Sequence, residues 1–422
     1  MIISKNVYLL NYTKKEKKKE KITMKKKTIA KTGATMLTMA MLLNGTTVFA
    51  AGTGYTGVVG TTTTFDKYLV MDTQANIPNA SFRYTITPGT AKSYNVGEKK
   101  FEILAGIGTP TMAGVDSSTA NTIAFKQSDT ITATGTAISG DQVKDLATTQ
   151  KYVKKTATLD FSGITFTEPG VYRYVITETG DNLGIKNDTN TKRILDVYVI
   201  DKAGALEIAS YVLHATESDL KMGDDSGTVE IEASEMKSQG FTNVYDSSDL
   251  TFKKEVAGNQ ASHDKYFKFT VNITDAVAGT VYNVDITNAD ATSNTNAATI
   301  TENAGKNNVT SMTVGTDGNI SQNFYLQHGQ EIKIQGIAKG TKYNVTENKE
   351  DYKSEAAVVT GYTDGVSGTI ESADLKTSYK NTRAGVIPTG VIMTVAPFAA
   401  VTLLGAVGMV TIKMRKKEDD EE

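Results

Sequence analysis

Short runs of alternating apolar and polar residues recur along most of the chain, and Gly, Asn or Asp residues bound each run. Alternation with a period of two places the apolar side chains on one face of a strand, so this pattern predicts half-buried strands. Many short strands separated by turn residues are typical of β-sandwich domains. The clearest runs are residues 81–87, 171–178, 193–200, 206–213, 266–273, 331–334 and 342–347; only residues 141–155 favour a helix.

A polar joint interrupts the alternating pattern at Asp246, Ser247, Ser248 and Asp249. It predicts a first domain over residues 55–246 and a second over residues 249–382. The 422 residues of the chain are enough for two such domains together with segments at either end. The sequence therefore predicts an all-β chain of two tandem immunoglobulin-like β-sandwich domains.

The amino-terminal region has the order of a secretory signal peptide. From Met24 a lysine cluster is followed by an apolar stretch at residues 36–43 and by small residues before Ala50 and Ala51. We expect translation to begin at Met24 and cleavage to follow Ala50 or Ala51, so residues 1–51 form the signal-peptide region. The alternative is a disordered basic arm.

The carboxy-terminal region has the order of a cell-wall sorting signal. Residues 391–412 carry no charge and are long enough to cross a membrane as a helix, and a basic cluster follows them. The pentapeptide Val-Ile-Pro-Thr-Gly directly before this span resembles the LPXTG-type signal that sortases cleave, here between Thr389 and Gly390. Residues 386–422 therefore predict a protein that is anchored at a Gram-positive surface.

Each predicted domain also places polar side chains on the apolar face of its strands. Residues two apart in a strand share a face, so Lys67 lies with Leu69, and Lys254 lies with Phe252. The same reasoning places four further polar residues on apolar faces: Glu178, Asn243, Glu347 and Asn381. Each domain thus has a lysine on its first strand, a glutamate in its middle and an asparagine on its last strand.

This set of residue types suits the formation of an amide bond between side chains. Burial of an isolated charge is costly and favours the neutral forms of Lys and Glu. A neutral lysine amine is a nucleophile, and a protonated glutamic acid can polarise an asparagine carboxamide and transfer protons as ammonia leaves. The product would be a Lys-Asn isopeptide bond. The alternatives are buried salt bridges, or strand faces that are in fact solvated.

Composition and charge exclude several other functions. Residues 51–389 hold 30 basic and 40 acidic side chains, a net charge near -10, so no large basic surface favours nucleic acid. The chain has no cysteine, which excludes disulfides, zinc-thiolate sites, cysteine nucleophiles and internal thioesters. The three histidines, His214, His263 and His328, are too scattered to predict a metal site. No cofactor is implied, and nothing identifies the nucleophile and base of a surface hydrolase.

Several motifs resemble those of one family of surface proteins. They are Ile77-Pro78-Asn79, Pro169-Gly170-Val171-Tyr172, Phe241-Thr242-Asn243, Tyr343-Asn344-Val345-Thr346-Glu347, Tyr379-Lys380-Asn381 and Val386-Ile387-Pro388-Thr389-Gly390. With these motifs the chain resembles the major (backbone) pilins of Gram-positive sortase-assembled pili, the streptococcal T-antigen-like family with pilin isopeptide-linkage domains.

The resemblance implies a role for each candidate residue. In that family each domain closes a Lys-Asn bond with a Glu catalyst, which here assigns two sets of residues: Lys67, Glu178 and Asn243, and Lys254, Glu347 and Asn381. A lysine late in the first domain would be the nucleophile for polymerisation, and Lys237 matches best, with Lys221 and Lys202 as the other candidates.

The resemblance also implies a function and a location. We expect a structural shaft subunit of a surface pilus, in which a sortase joins Thr389 to a lysine of the next identical subunit. The expected partners are sortases, identical subunits, accessory pilins and peptidoglycan. We do not expect the chain to be an enzyme, because each bond would form only once. The alternative is a monomeric wall-anchored adhesin or accessory pilin that binds a host ligand.

Overall fold

The computed structural model describes residues 59–96, 99–135, 146–215, 238–290, 292 and 308–386. The chain divides into two units between Asp246 and Ser247. In the described ranges all regular elements are β-strands, which confirms the predicted all-β class.

The first unit contains two sheets. The strands are β1 (Thr62–Asp72), β2 (Ala80–Pro88), β3 (Lys92–Val96), β4 (Lys99–Ala105), β5 (Thr111–Met112), β6 (Thr122–Phe125), β7 (Ala133–Thr134), β8 (Gln150–Asp160), β9 (Gly170–Thr179), β10 (Ile185–Lys186), β11 (Lys192–Lys202), β12 (Ala205–His214) and β13 (Gly240–Tyr245). One sheet has the order β10-β13-β1-β8-β5, with β7 also on β8; the other has the order β12-β11-β9-β2-β6, with β4 on β9 and β3 on β4. Aromatic side chains of the two sheets meet in the core, where the Tyr84 ring of β2 lies 5.1 Å from that of Phe65 and 5.4 Å from that of Phe241.

The second unit is also built from two sheets. Its strands are β14 (Ser247–Ala257), β15 (Phe267–Thr274), β16 (Val281–Thr287), β17 (Ser311–Thr313), β18 (Ile320–Leu326), β19 (Glu331–Ala338), β20 (Lys342–Glu347), β21 (Lys353–Ala356), β22 (Ser367–Thr369) and β23 (Leu375–Thr382). The sheet orders are β17-β16-β19-β14-β23-β21 and β18-β15-β20-β22. The Phe269 ring on β15 lies 5.4 Å from Phe252 and 5.6 Å from Tyr379 on the facing sheet, so the apolar core fills the space between the sheets.

The first and last strands of each unit are parallel neighbours. In the first unit β1 pairs with β13, and Leu69 lies opposite Asn243. In the second unit β14 pairs with β23, and Val256 lies opposite Asn381. Because each lysine precedes that opposite residue by two positions, it lies on the same face of the sheet as the asparagine.

The predicted helix at residues 141–155 is wrong where the structure describes it. Residues 146–149 form a loop, and Gln150–Asp160 is strand β8, which pairs antiparallel with β1 along its whole length. From Val153 onward its side chains alternate between buried and exposed. This two-residue period and the pairing with β1 outweigh the helix propensity of the Lys and Ala residues nearby.

The polar joint between the domains is part of a strand. Ser247, Ser248 and Asp249 open β14, so the second unit begins two residues before the predicted start at 249. The Ser248 hydroxyl donates to the Glu371 carbonyl, and the Asp249 carboxylate accepts from the Gly336 backbone N–H. The Ser248 and Asp249 side chains are buried because the second unit itself satisfies their hydrogen bonds.

Several predicted features lie outside the described residues. They are the signal-peptide region 1–51 with Met24, the lysines Lys221 and Lys237, the cleavage pair Thr389 and Gly390, and the span 391–412. Among the residues that are described, no helix has the length and apolarity to span a membrane.

Candidate functional sites: two buried Lys-Glu-Asn clusters

The first cluster, called site 1, consists of Lys67, Glu178 and Asn243. β1, β9 and β13 carry these residues on faces that meet between the two sheets of the first unit. The Lys67 Nζ donates to Glu178 Oε2 at 2.6 Å and to Asn243 Oδ1 at 2.5 Å. All three residues are buried, so the amine, the carboxylate and the carboxamide are in contact away from bulk water.

Two aromatic residues surround the amine and the carboxylate of site 1. The Tyr84 hydroxyl on β2 donates to Glu178 Oε2 at 2.7 Å. The Phe82 ring on the same strand lies with its centroid 4.1 Å from Lys67 Nζ, a distance at which the ring face attracts a cation. β2 therefore covers the site from the opposite sheet.

A loop after β10 holds the carboxamide of site 1. The Asp188 backbone N–H donates to Asn243 Oδ1 at 3.2 Å, and Asn243 Nδ2 donates to Asn187 Oδ1 at 3.1 Å. Sequence reasoning missed Asn187, Asp188 and Tyr84, because nothing in their spacing distinguishes them from other loop or core residues. The pairing of β10 with β13, which the sequence does not reveal, brings the loop beside Asn243.

The second cluster, called site 2, consists of Lys254, Glu347 and Asn381 on β14, β20 and β23. The Lys254 Nζ lies 2.6 Å from Glu347 Oε1, so the two side chains form a buried ion pair. Asn381 Nδ2 donates to the same Oε1 at 3.1 Å. Asn381 Oδ1 is buried and has no hydrogen-bond donor among the described residues. The structure thus brings together both predicted triads.

The surroundings of site 2 resemble those of site 1 in part. The Phe267 ring lies 4.3 Å from Lys254 Nζ, and this corresponds to the contact between Phe82 and Lys67. The second carboxylate oxygen, Glu347 Oε2, accepts from the Ser354 hydroxyl at 2.9 Å. Each unit therefore places its lysine against an aromatic face and gives its glutamate one hydroxyl donor.

Burial lowers the pKa of both lysines. Loss of hydration lowers the pKa of Lys67 from 10.5 to about 8, although Glu178 opposes the shift. The same cause lowers the pKa of Lys254 to about 8, and Glu347 opposes it there. Removing the charge from these amines is therefore much easier than for a lysine in water, and an uncharged amine is the nucleophilic form.

The remaining candidate residues do not form a further reactive cluster. His263 and His328 stack with ring centroids 4.1 Å apart, and His214 lies 3.2 Å from Asp196 in the other unit. In the part of the chain that is described, no group of three metal-ligating side chains could hold an ion. Lys202 ends β11 with an exposed side chain 3.4 Å from the Glu207 carboxylate.

Comparison with known proteins gives matches over both units. A family described as "Spy0128-like isopeptide containing domain" (FctA) matches residues 7–246, and a "Domain of unknown function (DUF7601)" matches residues 248–383. A curated pilin from Streptococcus pyogenes serotype M1 is 29% identical over 404 residues, which are 89% of this chain and 98% of the relative.

Solved structures of streptococcal pilins are also similar. The major pilin from Streptococcus pyogenes is 21% identical with a TM-score of 0.48, and the major pilin T3.2 from Streptococcus pyogenes serotype GAS13637 is 21% identical with a TM-score of 0.46. Each match covers 78% of this chain and 100% of the other. The Spy0128-like match alone spans more than half of the residues of the chain. The chain belongs to the family of pilins with a Spy0128-like isopeptide-containing domain.

Proposed function

We propose that each unit of this pilus shaft subunit closes one amide bond between its lysine Nζ and its asparagine Cγ, at Lys67-Asn243 and at Lys254-Asn381. The observation that carries the proposal is the contact of Lys67 Nζ with both a carboxylate and the carboxamide oxygen in a dry interior. Site 2 repeats the arrangement of a lysine, a glutamate and an asparagine on the matching strands of the second unit.

The reaction at each site needs only groups that the site contains. The glutamate takes a proton from the lysine ammonium, and burial favours this neutral pair over the ion pair. The neutral Nζ attacks Cγ, a C–N bond forms, and the carbonyl oxygen takes up negative charge. The glutamic acid then protonates Nδ2, the C–Nδ2 bond breaks, and ammonia leaves while Nζ loses its remaining extra proton to the glutamate. Each bond forms once, so the chain modifies itself without turnover.

The bonds suit a subunit that carries tension along a fibre. Each bond would join the first strand of its unit to the last, and these strands are parallel neighbours in both units. Force that enters at one strand could leave at the other through the covalent link, without unzipping the backbone hydrogen bonds between them. This role fits the pilus shaft subunit, a component of a polymer of identical subunits at the cell surface.

We further propose how the subunits are joined. A sortase would cleave after Thr389 and transfer its carbonyl to the amine of Lys237 in the next subunit, with Lys221 or Lys202 as the alternative nucleophile. A contact between two different surfaces, repeated from copy to copy, extends as a fibre instead of closing into a ring. Peptidoglycan of a Gram-positive wall would be the final acceptor, and accessory pilins would be further partners.

The monomeric adhesin is the less favoured function. The match to the curated pilin covers nearly the whole length of that protein, which supports a shaft subunit. Denaturing gels of wall extracts separate the two functions, because a shaft subunit gives ladders of high mass and a monomeric adhesin does not. Lys237→Ala should abolish the ladders while both internal bonds still form. Ladders that persist would move the role to Lys221 or Lys202.

Intact mass tests the internal bonds directly. Two bonds release two molecules of ammonia, so the exported body should weigh about 34 Da less than its sequence predicts. Reducing agents should have no effect because the chain contains no cysteine. A mass equal to the sequence value would refute both bonds.

A further inference from the structure

The carboxamide of Asn243 is held at both of its polar atoms by one short loop. Its oxygen accepts from the Asp188 backbone N–H at 3.2 Å, and its nitrogen donates to Asn187 Oδ1 at 3.1 Å. This loop directly follows β10, whose Lys186 lies opposite Val244 of β13. Two consecutive loop residues therefore contact the carboxamide oxygen, which gains charge during the reaction, and the carboxamide nitrogen, which leaves as ammonia.

The hydrogen-bond network determines that the Asn243 oxygen faces Asp188 and that its nitrogen faces Asn187. The Asn187 side-chain nitrogen donates to the Gly180 carbonyl at 3.2 Å, so Asn187 must present its oxygen to Asn243. Independently, a backbone N–H can only donate, so the Asn243 atom that faces Asp188 must be the oxygen. Both arguments give the same orientation.

Charged contacts hold the loop against β13. Asp188 Oδ2 accepts from Arg193 Nη2 at 2.7 Å and from the Thr242 backbone N–H at 2.8 Å. Arg193 in turn donates from Nε to the Gly240 carbonyl at 2.7 Å, and its guanidinium lies 4.7 Å from the centre of the Phe241 ring. These side chains bridge the loop to the three residues directly before Asn243, so the position of the loop is set before any reaction.

We propose that Asn187 is a catalytic residue of site 1, which binds the leaving nitrogen of Asn243, and that the Asp188 N–H stabilises the oxyanion. This inference rests on the Lys67-Asn243 bond proposed above. As Nζ attacks Cγ, the carbonyl oxygen gains negative charge. The hydrogen bond that the Asp188 N–H donates to this oxygen then becomes charge-assisted. When Glu178 protonates Nδ2, the developing ammonium becomes a stronger donor to Asn187 Oδ1.

Both contacts therefore strengthen on the way to the transition state, which is the condition for catalysis. Asn187 also gives the leaving group a path outward. Asn243 is fully buried, whereas Asn187 is exposed and touches the departing nitrogen. When the C–Nδ2 bond breaks, ammonia can pass along this side chain to solvent, and its departure makes the reaction irreversible in practice.

The test follows bond formation in the full chain during cell-free synthesis. Newly made chains are pulse-labelled, quenched in acid at timed intervals and digested, and the cross-linked peptide that joins Lys67 to Asn243 is quantified. Asn187→Ala should slow its appearance by roughly 10- to 100-fold, the effect of losing one hydrogen bond to a group that becomes charged in the transition state. Asn182→Ala is the matched control. Among the described residues, the side chain of this loop residue bonds the backbone of Ser81 on β2, and its loss should leave the rate unchanged.

The same samples contain an internal reference. The Lys254-Asn381 peptide should form at the same rate in the parent and in Asn187→Ala. Limited proteolysis of Lys67→Met chains with and without Asn187→Ala should show that the unlinked first unit is equally folded. An unchanged Lys67-Asn243 rate, or an equal slowing of both bonds, would overturn the role of Asn187 and leave the bonds themselves standing. A parent that never forms the Lys67-Asn243 peptide would instead overturn the proposed bond.

Discussion

Sites 1 and 2 use the same three residue types on corresponding strands, but they hold the asparagine differently. In site 1 the carboxamide oxygen has two donors, Lys67 Nζ and the Asp188 N–H. In site 2 the oxygen of Asn381 has no donor among the described residues, and its nitrogen donates to Glu347. Site 1 is therefore prepared for attack on the carbonyl, whereas site 2 is prepared for protonation of the leaving nitrogen.

This difference changes what the glutamate must do. Attack at Cγ requires a donor for the oxygen, and in site 2 the group at hand is Glu347 itself, once it carries the proton from Lys254. The carboxamide of Asn381 would then have to turn its oxygen toward that acid during the attack and its nitrogen back toward it before ammonia leaves. Glu178 is spared this task because the loop at Asp188 supplies the donor. The strands that both units share thus set which residues meet. The loops around them determine which group donates a hydrogen bond to the carboxamide oxygen.

The largest expected effect is the complete loss of one bond at a time. Glu178→Ala removes the proton acceptor and donor of site 1, so that variant should keep about 17 Da that the parent loses. Glu347→Ala should likewise keep the mass of one ammonia at site 2, and the double variant should keep the mass of both ammonia molecules. Intact mass of the three variants checks this. A single variant, Glu178→Ala or Glu347→Ala, in which both bonds fail would contradict the independence of the two units.

The second expected effect is on stability. The residues that the first bond would join are 176 positions apart. By the loop-closure model for covalent cross-links, its loss in Asn243→Ala should lower the free energy of unfolding by about 5 kcal/mol. Asn381→Ala should cost the second unit about as much, because the loop is of similar length and the cost depends only weakly on length. Chemical denaturation checks both values.

Each asparagine variant has a matched control. The same substitution in a Glu→Ala chain, where no bond forms, measures the loss of the side chain alone and should cost about 1 kcal/mol. If Asn243→Ala and Asn381→Ala were no more costly in the parent than in these unlinked chains, the bonds would not act as clamps.

The strand faces and both triads were predictable from the sequence. Lys67 and Lys254 interrupt apolar alternation, and a period of two is enough to assign them to the core face. The sheet order was not predictable, since nothing local states that β1 lies beside β13. For the same reason Asn187 and Asp188 were missed. Their role depends on a loop that long-range strand pairing brings to Asn243, and a polar loop residue has the same local sequence signal whether it is catalytic or not.

The third prediction concerns the relative rates of the two bonds. Site 1 has a fixed oxyanion donor and site 2 needs a rearrangement, so the Lys67-Asn243 bond should form roughly tenfold faster or more. Pulse-labelled full chains, sampled over time, give both rates in one experiment. Asn187→Ala should lower the ratio of the two rates, because it slows bond formation at site 1 and leaves the rate at site 2 unchanged. Faster closure at site 2 would mean that the contact between Asn381 Nδ2 and Glu347 matters more than the oxyanion donor.

The smallest difference between the sites should be in their pH dependence. The Lys67 and Lys254 amines both have a pKa of about 8, although Asp188 and Arg193 act with opposite sign on Lys67 alone. Below that pH the lysine amine carries a proton, and the reactive form, a neutral amine beside a glutamic acid, needs that proton to move to the glutamate. As the pH rises through about 8 the pair loses it, and Glu can no longer protonate the leaving nitrogen.

Both bonds should therefore form more slowly above pH 8, by about tenfold per pH unit, with little change in the ratio of their rates. Timed quenching of freshly made chains between about pH 7 and pH 10 measures this fall in rate. An unreacted lysine that only had to lose its charge would show the opposite sign, with a rate that rises up to its pKa and then stays level. That second profile at either site would rule out the glutamate as the proton donor there and would break the equivalence of the two sites.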